Sequence, residues 1–262
     1  MIPEGSARAG LQGGTLGPDF VYGAMVQSHL VAVAYNTQDP ARLARFWAVM
    51  LGREAIEDAG GVLLPGDGGQ LGLRFVADST PPRGRHRMHI HLTSTSLSDQ
   101  QHIVAKAMEL GAGDLDVGQR PEEGHIVLSD PGGYEFCVIE PGNRYLDGCG
   151  SLGEITCDGT RAVGTFWSRA LGWPLVWDRG EQTAVQSPLG GTKVSWDSWG
   201  GEPVSSRQGS DRQRFELVAA DGDMEAEADR LVELGARRLR VAGTGVILLA
   251  DPDGTEFHLR AR

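Results

Sequence analysis

The feature that most narrows what this chain can fold into is a repeat. The stretch Asp130-Pro131-Gly132-Gly133-Tyr134-Glu135-Phe136-Cys137-Val138-Ile139-Glu140 returns near the C-terminus as Asp251-Pro252-Asp253-Gly254-Thr255-Glu256-Phe257-His258-Leu259. In both copies Asp-Pro followed by Gly specifies a tight turn, because Pro fixes φ and Gly supplies positive φ. An alternating strand follows. Phe136 and Val138 share one face, with Glu135, Cys137 and Ile139 on the other; Phe257 and Leu259 oppose Glu256, His258 and Arg260. These two strands are expected to help wall the pockets of whatever fold forms.

The rest of the chain repeats in register with them. Asp39-Pro40 supplies an N-cap and a first-turn proline, and Leu43, Phe46, Trp47, Met50 and Leu51 make one apolar helical stripe that Gly52 ends. Val163, Phe166, Trp167, Ala170, Leu171 and Gly172 reproduce that helix. The strand Met88–Thr93 sets Ile90 and Leu92 against His89, His91 and Thr93, and Phe215 and Leu217 repeat its apolar face. A second helix brings Ile103, Ala107 and Leu110 inward and ends in Leu110-Gly111-Ala112, echoed by Leu234-Gly235-Ala236. Further strands are predicted over 27–36, 62–64, 71–76 and 126–128, with a linker at Pro81-Pro82-Arg83-Gly84-Arg85. Equivalent landmarks lie roughly 120 residues apart, which is a duplicated domain rather than a solenoid. The expected division is a disordered leader at 1–26, a first domain at 27–141, a polar link at 142–150 and a second domain at 151–262. Within each domain the order strand–helix–strands occurs twice, giving four modules.

Composition excludes several functions. A net charge of −11 makes a nucleic-acid backbone an unfavourable partner. No apolar run approaches the ~18 residues of a membrane span. Cys137, Cys149 and Cys157 are an odd number on a long chain, which suits a reducing cytosol. The first residues lack a cationic start and an apolar block, so they do not read as a secretory signal, and Met25 is a candidate natural start. Walker loop, dinucleotide fingerprint, nucleophile elbow and Cys-x-x-Cys pair are all missing, against nucleotide-dependent and covalent serine mechanisms.

The pattern resembles the vicinal-oxygen-chelate superfamily, which includes glyoxalase I, bleomycin-resistance proteins and extradiol dioxygenases. Asp39-Pro40, Phe46-Trp47, Leu51-Gly52, Arg87-Met88-His89-Ile90-His91-Leu92, Leu110-Gly111-Ala112 and the two Asp-Pro-x-Gly-x-Glu-Phe strands carry the resemblance, which spans 27–260. It implies an α+β fold of four βαβββ modules in two tandem glyoxalase-like domains. Paired modules would curl their strands into half-open barrels, with helices outside and a concave pocket inside. Ile90, Leu92, Phe136, Val138, Phe215, Leu217, Phe257 and Leu259 would face the helices, and His89, His91, Cys137, Arg214, Glu216 and His258 the pocket.

The resemblance also implies a divalent metal held by four His, Gln or Glu side chains. Aligned on Asp39, those positions in the first domain are Ala32, the 71–76 strand with Arg74 as its ionisable residue, His89 and Cys137. In the second they are Leu152, the 193–196 strand, Arg214 and His258. Neither domain keeps the full set, so the expectation is no cofactor. The alternative is a reduced zinc, iron, manganese or nickel site at His89, His91 and Cys137, since two histidines at i and i+2 share a strand face and a thiolate completes N/N/S ligation. In the second domain Glu216 beside His258 is a candidate acid/base pair, with Glu154 and Thr156 on the same expected face. Arg74, Glu154 and Arg214 are candidate ligand contacts. Trp173, Trp177, Trp196 and Trp199 cluster there, and the loop carrying Trp196, Trp199, Gly200 and Gly201 is a candidate stacking lid. Trp47 and Trp167 belong to the core, and Glu135 and Glu256 are expected to tie turn amides.

The leading expectation is a cytosolic small-molecule-binding protein, monomer or homodimer, taking an aromatic or cationic ligand without a full metal site. The alternatives are a lyase, isomerase or dioxygenase using the reduced metal site, or a metal-independent enzyme in which His89, His91 or the Glu216/His258 pair moves protons.

Overall fold

The structure is a computed structural model that describes residues 28–67, 69–79, 87–120, 122–198, 212–242 and 245–261. The expected leader at 1–26, the linker Pro81-Pro82-Arg83-Gly84-Arg85, and Trp199 with Gly200 and Gly201 lie outside the described residues.

Four modules follow one another with the same order. The first is β1 (His29–Thr37), α1 (Pro40–Leu51), β2 (Ile56–Asp58), β3 (Gly61–Leu64) and β4 (Gly72–Ala77). The second is β5 (Met88–Leu92), α2 (Leu97–Glu109), β6 (Gly113–Asp114), β7 (Ile126–Ser129) and β8 (Glu135–Val138). The third is β9 (Leu152–Asp158), α3 (Arg161–Leu171), β10 (Leu175–Arg179), β11 (Gln182–Gln186) and β12 (Lys193–Asp197). The fourth is β13 (Gln213–Val218), α4 (Met224–Glu233), β14 (Arg237–Ala242), β15 (Val246–Ala250) and β16 (Glu256–Arg260). This is the α+β arrangement of four βαβββ modules expected from the sequence. The short strands β2 and β6 went unforeseen; Ile56–Asp58 is exposed throughout and offers no burial pattern.

Local chemistry explains the helix ends. Asp39 caps α1 by accepting from the Arg42 amide, Pro40 opens the helix, and Gly52 closes it at φ 66. Gly172 closes α3 the same way at φ 65. The left-handed backbone there is what makes the two glycines necessary.

The strands form two eight-stranded mixed sheets, ordered β14-β15-β16-β13-β1-β4-β3-β2 and β10-β11-β12-β9-β5-β8-β7-β6. Each sheet therefore takes one module from each half of the sequence. The first and fourth modules make an outer-module sheet through the antiparallel pair β1/β13. The second and third make an inner-module sheet through β5/β9. The expected grouping of neighbouring modules around one pocket is thus replaced by a 1–4 and 2–3 pairing.

Side-chain contacts tie the sheets in the other direction. Trp47 on α1 donates through Nε1 to Asp130 at 2.9 Å, and Trp167 on α3 donates to Asp251 at 3.3 Å. Each aspartate also accepts two turn amides through Oδ1: Gly132 and Tyr134 on Asp130, Asp253 and Thr255 on Asp251. So the repeated Asp-Pro turn locks the first module to the second and the third to the fourth. Burial pushes the two carboxyls up, to about 6 for Asp130 and about 7 for Asp251, against the pull of these donors. The main core lies between, with Val33, Phe75, Phe215 and Phe257 from one sheet and Ile90, Phe136, Ile155 and Val194 from the other, packed against Phe46, Trp47, Phe166 and Trp167 of the helices. A smaller cluster of Val127, Cys137, Ile139, Leu146 and Cys149 is separate from it. Edge-on ring contacts of Trp47 with Phe136 (5.2 Å) and Trp167 with Phe257 (5.0 Å) show how closely helix and sheet fit. The opposite, helix-free face of each sheet carries the polar residues.

Candidate functional site

On the inner-module sheet, strand register sets the polar face in two transverse rows. Cys137, His91, Glu154, Lys193 and Gln186 are paired in succession across β8, β5, β9, β12 and β11. His89, Thr156, Ser195, Ala184 and Trp177 form the next row, ending on β10. His89, His91 and Cys137 each offer a ligand atom, and these atoms lie within 4.8 Å of one another. The imidazole rings are 5.0 Å apart and inclined by 58°.

Behind His91 stands a buried carboxylate. Glu154 accepts from His91 Nδ1 at 2.8 Å through one oxygen and from the Tyr145 hydroxyl at 2.7 Å through the other. Burial alone would depress the basicity of His91, but hydrogen bonds to Cys137 and Glu154 and their charges hold it up to about 10. Glu154, which burial would raise, is held below the usual carboxylate range by His91, Ser195 and Tyr145. Tyr145 sits on a short 3-10 turn (Arg144–Leu146) in the link between the two halves. Its ring meets Trp177 edge-on at 5.6 Å, and the Lys193 ammonium, which also bonds the Tyr145 carbonyl, lies 4.3 Å from the ring centre. Arg179 lies over the Trp177 ring at 4.2 Å. The face therefore has a nitrogen/sulfur centre at one end and an aromatic wall beside it.

The outer-module sheet presents a different surface. Arg74, Ala34 and Arg214 are paired across β4, β1 and β13, and Gly72, Ala32, Glu216 and His258 across β4, β1, β13 and β16. Buried Glu216 holds Arg74 at 2.7 Å and Arg260 at 3.1 Å. Arg214 donates to Asn36 Oδ1 at 2.6 Å and to His258 Nδ1 at 3.2 Å, and His258 Nε2 meets Glu256 at 3.0 Å. Burial, with the neighbouring Arg214 charge, pushes His258 down.

Several expectations change with this geometry. Arg74 belongs with Glu216 rather than with His89 and Cys137, and Glu154 belongs with His91 rather than with Arg214 and His258, because the sheets pair modules across the halves. The partner of His258 is Glu256, while Glu216 is held by arginines, so no Glu216/His258 pair forms. Glu256 correspondingly serves His258, and Asp251 ties the turn amides. Trp196 is 3 % exposed and lies parallel to Trp167, with rings 6.4 Å apart, so it is core rather than a ligand contact. Trp177, two strands away, is the tryptophan that lies in the polar row of His89, Thr156 and Ser195. The structure adds Tyr145 and Lys193 to the site. The alternation Lys193-Val194-Ser195-Trp196-Asp197 already separated Lys193 from Trp196, but nothing in a link segment marked Tyr145.

The superfamily's metal can be tested against these residues. Two imidazoles and a thiol within reach of one another are a donor set suited to zinc-type ions. A carboxylate fixing the other nitrogen of a ligating histidine is the usual outer support. The set fits a three-donor centre. The fourth ligand of the usual site is not supplied by its neighbour in the row, since Lys193 is a cation. On the outer-module sheet Arg74, Arg214 and Arg260 surround Glu216, and a cation does not fit.

A family model for a glyoxalase-like domain matches residues 32–139 and again residues 154–260. No curated protein sequence is significantly similar to the chain. Among solved structures, glyoxalase I from Zea mays is similar with TM-score 0.58 and 15 % identity, over 88 % of this chain and 92 % of that one. A putative dioxygenase from Bacillus subtilis subsp. subtilis str. 168 is similar with TM-score 0.57 and 13 % identity, over 89 % of this chain and 85 % of that one. At such identities the likeness is one of fold. With both halves matched by the family and the four-module architecture shared with these structures, the chain belongs to the glyoxalase-like domain family of the vicinal-oxygen-chelate superfamily.

Proposed function

We propose that the polar face of the inner-module sheet is the working site, a small-molecule pocket whose reacting end is a reduced metal centre of His89, His91 and Cys137. On this reading the protein is an enzyme of the superfamily's lyase, isomerase or dioxygenase type. The observation that carries it is the convergence of the three donors within 4.8 Å, with Glu154 bonded to His91 Nδ1. A divalent transition metal bound there would supply Lewis-acid stabilisation of negative charge on substrate oxygen. His91 is fixed in orientation by Glu154, and Glu154 in turn by Tyr145. Trp177 and Tyr145 meet edge to face, with Arg179 and Lys193 against their rings, and give the site an aromatic border suited to a planar or aromatic ligand. The neighbouring proteins whose names are glyoxalase I and putative dioxygenase support a small molecule as substrate.

A second reading, metal-free sequestration of a small aromatic molecule, draws on Lys193 beside Glu154 and on the full engagement of Glu154 by protein side chains. Elemental analysis of protein purified without an affinity tag separates the two. The metal reading expects about one equivalent of transition metal, lost in His91→Ala and in Cys137→Ala. Less than about 0.2 equivalents after reconstitution with zinc, iron, manganese and nickel in turn would abandon it in favour of the metal-free reading.

A further inference from the structure

We propose that the polar face of the outer-module sheet is a second ligand site, which takes a small oxyanion, a carboxylate or phosphate group, anchored on Arg214. The argument begins with Arg214 itself. It is 5 % exposed, yet its hydrogen-bonding partners are the neutral Asn36 Oδ1 at 2.6 Å and His258 Nδ1 at 3.2 Å. The carboxylate with which it makes its ion pair, Glu216, stands 3.9 Å away at its nearest oxygen. Glu216 is committed elsewhere, to Arg74 at 2.7 Å and Arg260 at 3.1 Å. A buried guanidinium normally has a carboxylate or phosphate in its fork, because leaving a buried charge poorly compensated is costly. Burial accordingly depresses Arg214, the direction expected of a cation short of counter-charge, with Arg260 adding repulsion after the partial compensation by Glu216 and Glu256.

Its setting is that of a recognition site rather than of a plain structural pair. Between Arg74 and Arg214 the central strand presents only Ala34, and between Gly72 and Glu216 only Ala32, so the floor is small and the charged groups stand around it. Arg74 and Arg260 converge below the β2–β3 turn: a Cβ placed on Gly60 would lie 2.9 Å from the Arg74 terminal nitrogen and 3.2 Å from that of Arg260. That corner already holds its anion, since Asp58 Oδ1 lies 2.5 Å from the Arg74 terminal nitrogen and 3.1 Å from the same Cβ. Glu216 and Asp58 thus serve these two guanidiniums, and Arg214 is left with the longest ion pair of the three, 3.9 Å. The chain as a whole carries −11, so general surface charge would repel such a ligand, and local arginines must supply the affinity. Asp58 on the rim pairs with Arg74 and Glu256 hydrogen-bonds His258, while Arg214, with Nε and Nη1 already donating to His258 and Asn36, has Nη2 left with the long 3.9 Å ion pair to Glu216.

Malonate and inorganic phosphate are the probes, titrated into the full chain by calorimetry with amide shifts followed by NMR. The expected result is one saturable site, with the largest shifts at Ala34, Arg214 and Glu216 and little change at His89 to His91. Arg214→Gln should weaken binding at least about tenfold, while Arg214→Lys keeps part of it. His91→Ala should leave it unchanged, which separates this site from the metal centre. Absence of saturable binding of both probes to the wild type would overturn the proposal. So would shifts confined to the inner-module face, or a folded Arg214→Gln variant that binds as the wild type does. The wild-type shift map needs no variant to fold, so a destabilised Arg214→Gln does not shelter the idea.

Discussion

Glu154→Gln is the sharpest test of the inner-module site. The Glu154 oxygens have separate duties, one accepting from His91 Nδ1 at 2.8 Å and the other from Tyr145 at 2.7 Å. Gln is nearly isosteric but has one acceptor oxygen and no charge, so it can serve one partner and must turn an amide N–H₂ toward the other. The group most exposed to this loss is His91, whose ring is oriented by that bond and which also hydrogen-bonds Cys137 within the donor cluster. Removing a carboxylate from behind a ligating histidine typically weakens metal affinity by roughly 10–100-fold. That corresponds to about 1.4–2.7 kcal/mol. Competition against a zinc-responsive chelating dye measures it directly, with Tyr145→Phe as the companion variant. Tyr145→Phe leaves the carboxylate in place and should produce the smaller loss. Thermal unfolding of both variants shows whether the fold survives. A folded Glu154→Gln protein with wild-type zinc affinity would refute the arrangement of donors and support proposed here.

Three further outcomes follow from the packing. Gly164→Ala puts a methyl 1.9 Å from Thr183 Oγ1, so the ~1 kcal/mol of helix propensity gained is outweighed by an overpacking cost of roughly 1–3 kcal/mol or more, and urea unfolding should show net destabilisation. Asp251 has a folded pKa near 7 against a lower unfolded value, so its protonated form stabilises at low pH and that contribution fades as pH rises toward 7. The stability difference between wild type and Asp251→Asn, from urea titrations at several pH values, should therefore shrink up to about pH 7 and then level; a constant difference would contradict it. Fragments 27–141 and 151–262 expressed apart would each bare the first-strand edges that pair β1 with β13 and β5 with β9. Neither should behave as a folded monomer by size-exclusion and circular dichroism, and mixing should restore a one-to-one complex; a monomeric fragment with a cooperative melt would count against the cross-half pairing.

That last point marks where sequence reasoning reached its limit. Alternation in Met88–Leu92 and Glu135–Val138 was enough to put His89, His91 and Cys137 on one side of neighbouring strands, since side-chain direction is a local property with period two. The same rule, applied to Lys193-Val194-Ser195-Trp196-Asp197, places Trp196 in the core beside Val194. Which modules share a sheet is another matter. The bonds joining β1 to β13 are backbone N–H to carbonyl, the same for any residue, so a repeat at fixed spacing is equally compatible with pairing inside a half or across halves. Arg74 and Glu216 meet at 2.7 Å although 142 positions separate them, and neither residue alone announces the other. The two faces also diverged in content while keeping their frame. The Asp-Pro turn and its Trp lock are repeated in both halves, whereas the row holding Cys137, His91 and Glu154 is matched across the molecule by His258, Glu216 and Ala32. The lock is a buried hydrogen bond made in the same way in both halves, so the frame constrains Trp and Asp alike in each. The polar faces carry no such shared constraint, so the copy best read for fold is the poorest guide to its partner's chemistry.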